Sequence, residues 1–299
     1  MAGMLPRAVL VTRETDYQRL LATHATREQA RFFLASRGQD IDEVAARHDA
    51  IVEVVRQVRV ALPPDWRVAK VQRADLDRFL FGPEDVVIAI GQDGLVANLA
   101  KYLSGQPVLG INPAPDLIEG VLVPFRPSQA NRFARAAADG AASLERRSMV
   151  LATLEDGQAL QALNEIFVGH RTHQSARYRI VLGKHSETHS SSGVIVSTGT
   201  GTTGWARSIM TATGSHLKLS PADRRLAFFV REAWPSVATG TAITSGALGA
   251  DQSLVLISNM NDGGVIFADG MEQDHLSFGW GRRVDLTLSA QTLNLVQPD

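Results

Sequence analysis

Gly91-Gln92-Asp93-Gly94 interrupts the chain between an apolar run, Asp85 to Ile90, and a segment that restarts with helical spacing at Leu95. An acid bracketed by glycines at such a junction is a place to hold phosphate. Backbone N–H groups at the turn point outward, the helix dipole favours an anion, and the carboxylate is held where it can take a proton from an incoming hydroxyl. The competing reading is a plain strand-to-helix turn, which also favours Gly and Asp.

A second glycine-rich stretch, Ser197-Thr198-Gly199-Thr200-Gly201-Thr202-Thr203-Gly204-Trp205, carries a formal G-x-G-x-x-G after a strand-like segment. A dinucleotide-binding crossover needs a full helix, a second strand and an acid at that strand's end about 20 residues on. Gly214 cuts the helix short, and Asp223 sits in a cap-like Ser-Pro-Ala-Asp segment. The stretch is therefore read as a loop offering amides and hydroxyls to a polar ligand. Asn164-Glu165 sets an amide beside a carboxylate where a strand begins, with an ordinary polar turn as the competing reading. His170-x-x-His173 and His185-x-x-x-His189 have the spacing of metal pairs, but no adjacent acid or Cys completes a ligand set. No metal ligand is assigned, and these histidines are expected in solvated loops. No Ser-His-Asp set stands out, since Gly-x-Ser-x-Gly is absent.

The chain has 299 residues, 44% hydrophobic and 20% charged, enough for two ordinary domains with sizeable cores. Thirty basic residues against thirty-one acidic ones leave a net charge of −1, so no global field recruits nucleic acid or an anionic membrane. There is no Cys, which removes disulfides, thiolate catalysis and cysteine metal sites. No apolar stretch approaches the roughly 18 residues that span a bilayer, and the first residues lack a signal-peptide layout, so a soluble cytoplasmic protein is expected.

Elements that would position these groups follow from periodicity. Ala8 to Thr12, Arg67 to Val71, Asp85 to Ile90 and Pro107 to Asn112 read as strands. Between them lie helices over Thr26 to Ser36, from a capping box at Asp40 and Glu43 to Leu62, and over Leu95 to Leu103. Strands alternating with helices predict an open, mostly parallel sheet, with the Gly-x-Asp-Gly turn at its carboxyl edge, where ligands of such sheets bind. After about Pro124 comes an Ala-rich helix near Ser128 to Leu144, then alternating strands separated by turns such as Asp156-Gly157, Asp262-Gly263-Gly264 and Asp269-Gly270, which predict hairpins. The expected organisation is an α/β domain over 1–123 followed by a β-rich domain over 124–299.

In this order and at these intervals the pieces resemble the NAD kinase family, in particular its mitochondrial-type branch and related bacterial proteins. Gly91-Gln92-Asp93-Gly94-Leu95 looks like the family's Gly-Gly-Asp-Gly-Thr motif, Asn164-Glu165 like its Asn-Glu pair, and Ser197 to Trp205 like its Thr- and Gly-rich motif. The mitochondrial-type flavour comes from Thr-Gly-Thr-Gly, Ser175-Ala176-Arg177-Tyr178, Asp262-Gly263-Gly264 and Asp269-Gly270. The resemblance implies ATP-dependent phosphorylation of the adenosine ribose 2′-hydroxyl of NAD to give NADP, in an interdomain cleft, with Mg²⁺ or another divalent metal accompanying ATP. A homodimer is expected, because a β-rich domain with several exposed edges tends to be covered by a partner. The resemblance also implies Asp93 as the acid at the attacking hydroxyl and the Gly91 and Gly94 backbone facing phosphates. Asn164 and Glu165 would hold polar groups of NAD, while Thr203, Gly204, Trp205 and Ser208 would line the adenosine pocket. Gln92, Leu95 and Ser192 stand where the family pattern has Gly, Thr and Asp; a side chain at Gln92 is expected to strain a turn that wants positive φ. These departures motivate two alternatives: a kinase-fold enzyme acting on another hydroxyl (sugar, nucleoside or lipid), and a non-catalytic NAD(P)-binding protein.

Overall fold

The computed structural model describes residues 5–116 and 119–298. The chain forms two compact units, Met1–Leu144 with Asn294–Asp299 and Glu145–Leu293.

In the first unit β1 (Arg7–Thr12) is followed by α1 (Asp16–His24), α2 (Arg27–Ala35), α3 (Ile41–Ala61), β2 (Arg67–Gln72), β3 (Asp85–Ile90), α4 (Asp93–Ala100), β4 (Pro107–Ile111) and α5 (Ala130–Ala138). The strands are parallel in the order β2-β1-β3-β4, with Val9 beside Ala69 and Val87, and Val87 beside Val108. All six positions of β3 are buried, as an unbroken apolar run on a central parallel strand requires. At its start the buried Asp85 carboxylate takes both Arg7 Nε at 2.7 Å and Arg7 Nη2 at 2.6 Å, a bidentate pair that ties β1 to β3. α3 begins at Asp40, whose side chain accepts the Asp42 N–H, and stops before Pro63-Pro64. Phe133 and Ala134 of α5 pack on Phe125, Leu109 and Ile111. The segment after residue 123 thus belongs to the α/β core, and the units divide at Leu144 rather than at the expected 123/124 boundary. α1 has a capping box at Thr15 and Gln18 but no buried residue, so it left no apolar stripe to read.

The second unit contains β5 (Leu144–Leu154), β6 (Ala159–Ala162), β7 (Glu165–His170), β8 (Ala176–Leu182), β9 (His185–Ser191), β10 (Val194–Ser197), α6 (Trp205–Thr213), β11 (Leu226–Val230), β12 (Ser245–Leu248), β13 (Leu254–Ser258), β14 (Gly264–Ala268), β15 (His275–Ser277) and β16 (Arg283–Val296). One sheet runs β12-β11-β10-β7-β14-β15; the facing one runs β16-β13-β8-β9, with β5 pairing β16 and β6. Ile166 and Val168 of β7 and Phe228 of β11 meet Tyr178 and Ile180 of β8 and Leu256 of β13 in one buried layer. Each such side chain contributes roughly 1.5–3 kcal/mol. Asp156-Gly157 and Asp269-Gly270 turn hairpins, with Gly157 at φ 85° and Gly270 at φ 69°. Asp262-Gly263-Gly264 does not: it follows β13 of one sheet and leads into β14 of the other. The last residues of β16, Asn294 and Leu295, pair in parallel with Pro107 and Val108 of β4 and complete the first unit's sheet.

Candidate active site

Asp93 is the first residue of α4, at the carboxyl end of β3. Its carboxylate is oriented by two backbone donors, the Leu122 N–H to Oδ1 at 2.8 Å and the Val121 N–H to Oδ2 at 3.0 Å. The donor segment lies directly over β4: a Cβ on Gly110 would sit 2.0 Å from the Leu122 carbonyl oxygen. Gly110 is therefore the residue that lets 121–122 approach closely enough to reach the acid. Each carboxylate oxygen keeps a second lone pair for an incoming hydroxyl.

Gln92 is extended, with φ −103° and ψ 168°, and its side chain is exposed. The expected strain is absent because this position never enters the left-handed region. Leu95 is 4% exposed, and its Cδ2 would lie 3.0 Å from a Cβ on Gly91, so the departure from Thr exchanges a hydroxyl for core packing that needs a glycine beneath it. Around Gly94 there is nothing within 4 Å of a Cβ position. Gly91, Gln92 and Gly94 face a cavity of about 550 Å³ within this unit.

In the second unit Asn164-Glu165 and the Thr- and Gly-rich loop form a single structure. The Asn164 carbonyl accepts the Thr198 N–H at 2.9 Å and the Ser197 hydroxyl at 3.3 Å, and the Thr198 hydroxyl donates to the Leu163 carbonyl. Gly201 passes so close that its Cβ would be 2.2 Å from the Asn164 carbonyl oxygen. The turn is clamped from its other side by Asp269, which sits at φ 50° and accepts the N–H groups of Leu163, Asn164 and Glu165 at 2.9, 2.7 and 3.3 Å. Sequence reading gave Asp269 only a turn role; the available signal was a non-glycine residue before Gly at a hairpin tip.

Glu165 is 9% exposed. Burial, and then the neighbouring Asp269 charge, pushes its carboxyl up to about 8, so at neutral pH it carries a proton and can donate a hydrogen bond. The Thr200 hydroxyl oxygen is buried and has no hydrogen-bond partner among the described residues. Thr203 is exposed and donates back to the Thr200 carbonyl at 3.0 Å. Gly204 is the N-cap of α6, at φ −106° and ψ −122°, and as a glycine offers no side-chain cap. Trp205 stacks on Phe167 with ring centroids 5.8 Å apart and planes 14° from parallel, and the Arg231 guanidinium lies 5.1 Å from the same ring. Ser208 is exposed on α6. Gly91, Asp93 and Gly94 thus lie together in the first unit, and Asn164, Glu165, Thr203, Gly204, Trp205 and Ser208 in the second.

β10 pairs antiparallel with both β7 and β11, so its G-x-G-x-x-G opens no parallel dinucleotide crossover, in keeping with its reading as a loop. One expectation changes. His189 is not in a solvated loop: it is fully buried on β9, with Nε2 2.5 Å from Glu187 Oε1 and its ring against Tyr178. Among the described residues no group of three or more His, Asp or Glu side chains is placed to hold a metal ion.

With this geometry in view, likeness to solved structures decides the fold. The yeast NADH kinase complexed with NADH superposes with a TM-score of 0.60 over 99% of this chain and 84% of its own, at 14% identity. An NAD kinase from Archaeoglobus fulgidus in complex with ATP gives 0.59 over 97% and 93%, at 16% identity. The chain has the NAD kinase fold. Sequence similarity points the same way: 30% identity over 140 residues with the NAD kinase of Chlorobaculum tepidum and 35% over 127 residues with that of Methanoregula boonei. These alignments cover 46% and 42% of this chain, which spans about half the length of the curated relatives it matches, 47% and 46%. No protein-family model matches the chain. No described helix is long and apolar enough to cross a membrane.

Proposed function

We propose that the chain transfers the γ-phosphoryl group of ATP to the adenosine ribose 2′-hydroxyl of NAD, giving NADP and ADP. The observation that carries this is Asp93, an acid at the N-terminus of α4 whose two oxygens are aimed by the Val121 and Leu122 amides, in a chain with the NAD kinase fold. In this reading Asp93 takes the hydroxyl proton as the ribose oxygen bonds to phosphorus and the bridging oxygen leaves with ADP. Asn164 and protonated Glu165 hold polar groups of NAD. Thr203, Gly204 and Ser208 line the adenosine pocket, and Trp205, one face of which rests on Phe167, forms its wall.

A divalent cation enters with the donor's phosphates, since Mg²⁺ is commonly held by one or two carboxylates and substrate phosphates rather than by a protein cage. The yeast relative's complex with NADH makes NADH a second acceptor to assay. A homodimer is part of the proposal, supported by β12 and β15 forming the two outer strands of their sheet among the described residues, and so is a cytoplasmic location, with which a Cys-free chain is compatible. Sedimentation and cell fractionation test these two. The central test is NADP formation from NAD, ATP and Mg²⁺ by the purified chain beside Asp93→Asn; no product with either NAD or NADH, or undiminished turnover in the variant, overturns the mechanism.

A further inference from the structure

No residue of α1 is buried. Its neighbours are anchored: Ala30 and Leu34 of α2 pack with Ile41 and Val44 of α3 in a buried cluster, to which α1 adds only the partly buried Tyr17 and Leu20. A cavity of about 410 Å³ runs along Asp16, Leu20 and His24 of α1, and one of about 640 Å³ opens at Thr23 and His24. Thr15, the N-cap of α1, stands on the wall of the cavity at the Gly91–Gly94 turn and also on that of a cavity of about 460 Å³ over Lys70 and Val71 of β2. A helix with no buried side chain and with voids along its sides lacks the close packing that fixes interior elements. Such elements open at the low end of a protein's local stabilities.

Both ends of α1 are built to pivot. Its carboxyl end turns into α2 through Ala25, at φ 62° and ψ −38°, where the Thr26 N–H donates to the His24 carbonyl at 2.7 Å. This is a γ-turn of the rare, strained hand, so rotation at Ala25 releases energy that the closed position stores. At the other end Arg13 and Glu14, both exposed, link β1 to the Thr15 cap. A single latch holds that end to α3: the Thr15 hydroxyl lies 2.8 Å from His48 Nδ1, with the Tyr17 ring 5.3 Å from the imidazole. Arg13, Thr15, His48 and Ile51 line both the cavity at the turn and the one over β2, so the latch is part of the partition between them.

We propose that α1 is a hinged flap, pivoting at Ala25 and latched by Thr15 and His48, whose opening joins these two cavities and widens access to the Gly91–Gly94 turn. Closure shuts the turn off from water, which in a phosphoryl transfer suppresses wasteful hydrolysis of the donor. That consequence rests on the kinase reading; the motion does not.

The absence of Cys lets two spin labels be placed cleanly, through Ala22→Cys on α1 and Val60→Cys on α3, both exposed positions. Double electron–electron resonance of the full chain, with and without ATP, reads their separation. Wild type shows two separations. His48→Phe keeps a ring beside Tyr17 but removes the latch partner, and it shifts the ratio toward the longer separation by about three- to tenfold, the loss of one hydrogen bond. Thr15→Val does the same but also uncaps α1, whereas Thr15→Ser keeps the hydroxyl and the wild-type ratio. One narrow separation in wild type and variants alike overturns the flap whether or not NADP is formed, and so does a ratio indifferent to His48→Phe. A shift by ATP toward the shorter separation, with more ATP hydrolysed per NADP formed in His48→Phe, supports the flap and the kinase reading together. A latch-dependent ratio with no response to ATP and no NADP leaves the flap standing and removes the kinase reading.

Discussion

Asp93 accepts the backbone N–H of Leu122 at 2.8 Å, and this bond, with its partner from Val121, turns a helix N-terminal acid into an oriented one. Asp93→Asn presents an amide N–H₂ to at least one of those donors. The variant is expected to lose about 100-fold or more in kcat, the low end of what a general base contributes. It also loses about 1.5–3 kcal/mol of stability, the range for hydrogen bonds to a charged group. NADP formation and urea unfolding of the same preparations measure the two losses separately.

Gly110→Ala tests what holds the donor segment over β4. The added Cβ would lie 2.0 Å from the Leu122 carbonyl oxygen, and that atom is backbone, so either the strand or the segment must move. A destabilisation of about 1–3 kcal/mol or more is expected from overpacking. Activity is expected to fall further than stability, because the Leu122 N–H leaves Asp93. A variant with wild-type kcat and Tm would show that the close approach is not needed.

Glu165 predicts a pH dependence of the opposite sign to that of an ordinary surface carboxylate. Its folded-state pKa stands at about 8 against an ordinary 4.5, so between those values the native state keeps a proton that the unfolded chain has lost. Stability attributable to this group therefore falls as pH rises through that window, by up to about 1.4 kcal/mol per pH unit, and levels off above it. Glu165→Gln keeps the neutral form: its Tm advantage over wild type grows from pH 5 to pH 8, and a constant difference would refute the assignment. Under the kinase reading, KM for NAD in wild type rises as pH passes 8.

Asp269→Ala removes the acceptor shared by the Leu163, Asn164 and Glu165 amides, together with the charge that helps raise Glu165. Loss of about 2–4 kcal/mol is expected from freeing partly buried amides, each worth about 1–3 kcal/mol when left unmade. KM for NAD increases more than KM for ATP, because the loosened turn carries Asn164. Equal changes in the two constants would assign Asp269 a general structural role.

The strands and the acid were legible because their signals are local: the all-buried β3 is an unbroken apolar run, and Gly91 to Gly94 marks its end. Asp269 was not, since its partners lie about a hundred residues away and Asp-Gly reads as a turn whatever the carboxylate does. Leu95 read as a missing hydroxyl until its burial beside Gly91 was seen. His189 looked polar and loop-like because its Tyr178 neighbour is brought opposite it only by the β8–β9 pairing, while its Glu187 partner, two residues away on β9, reads as one more polar residue.

The parallel pairing of Asn294 and Leu295 with Pro107 and Val108 has a consequence for synthesis. A ribosome adding about 5–20 residues per second needs on the order of ten seconds or more to travel from β4 to the strand that covers it. Throughout that time the nascent α/β unit leaves the Pro107–Val108 end of that edge uncovered, Phe125 already bridging its Gly110–Asn112 end, and an open strand edge is the kind of surface that templates association with other chains. Chains arrested before residue 294 are accordingly expected to be protease-sensitive around β4 and to engage holdase chaperones, whereas the released chain does neither. The vulnerability belongs to the moment of translation and is closed only once Asn294 and Leu295 are made.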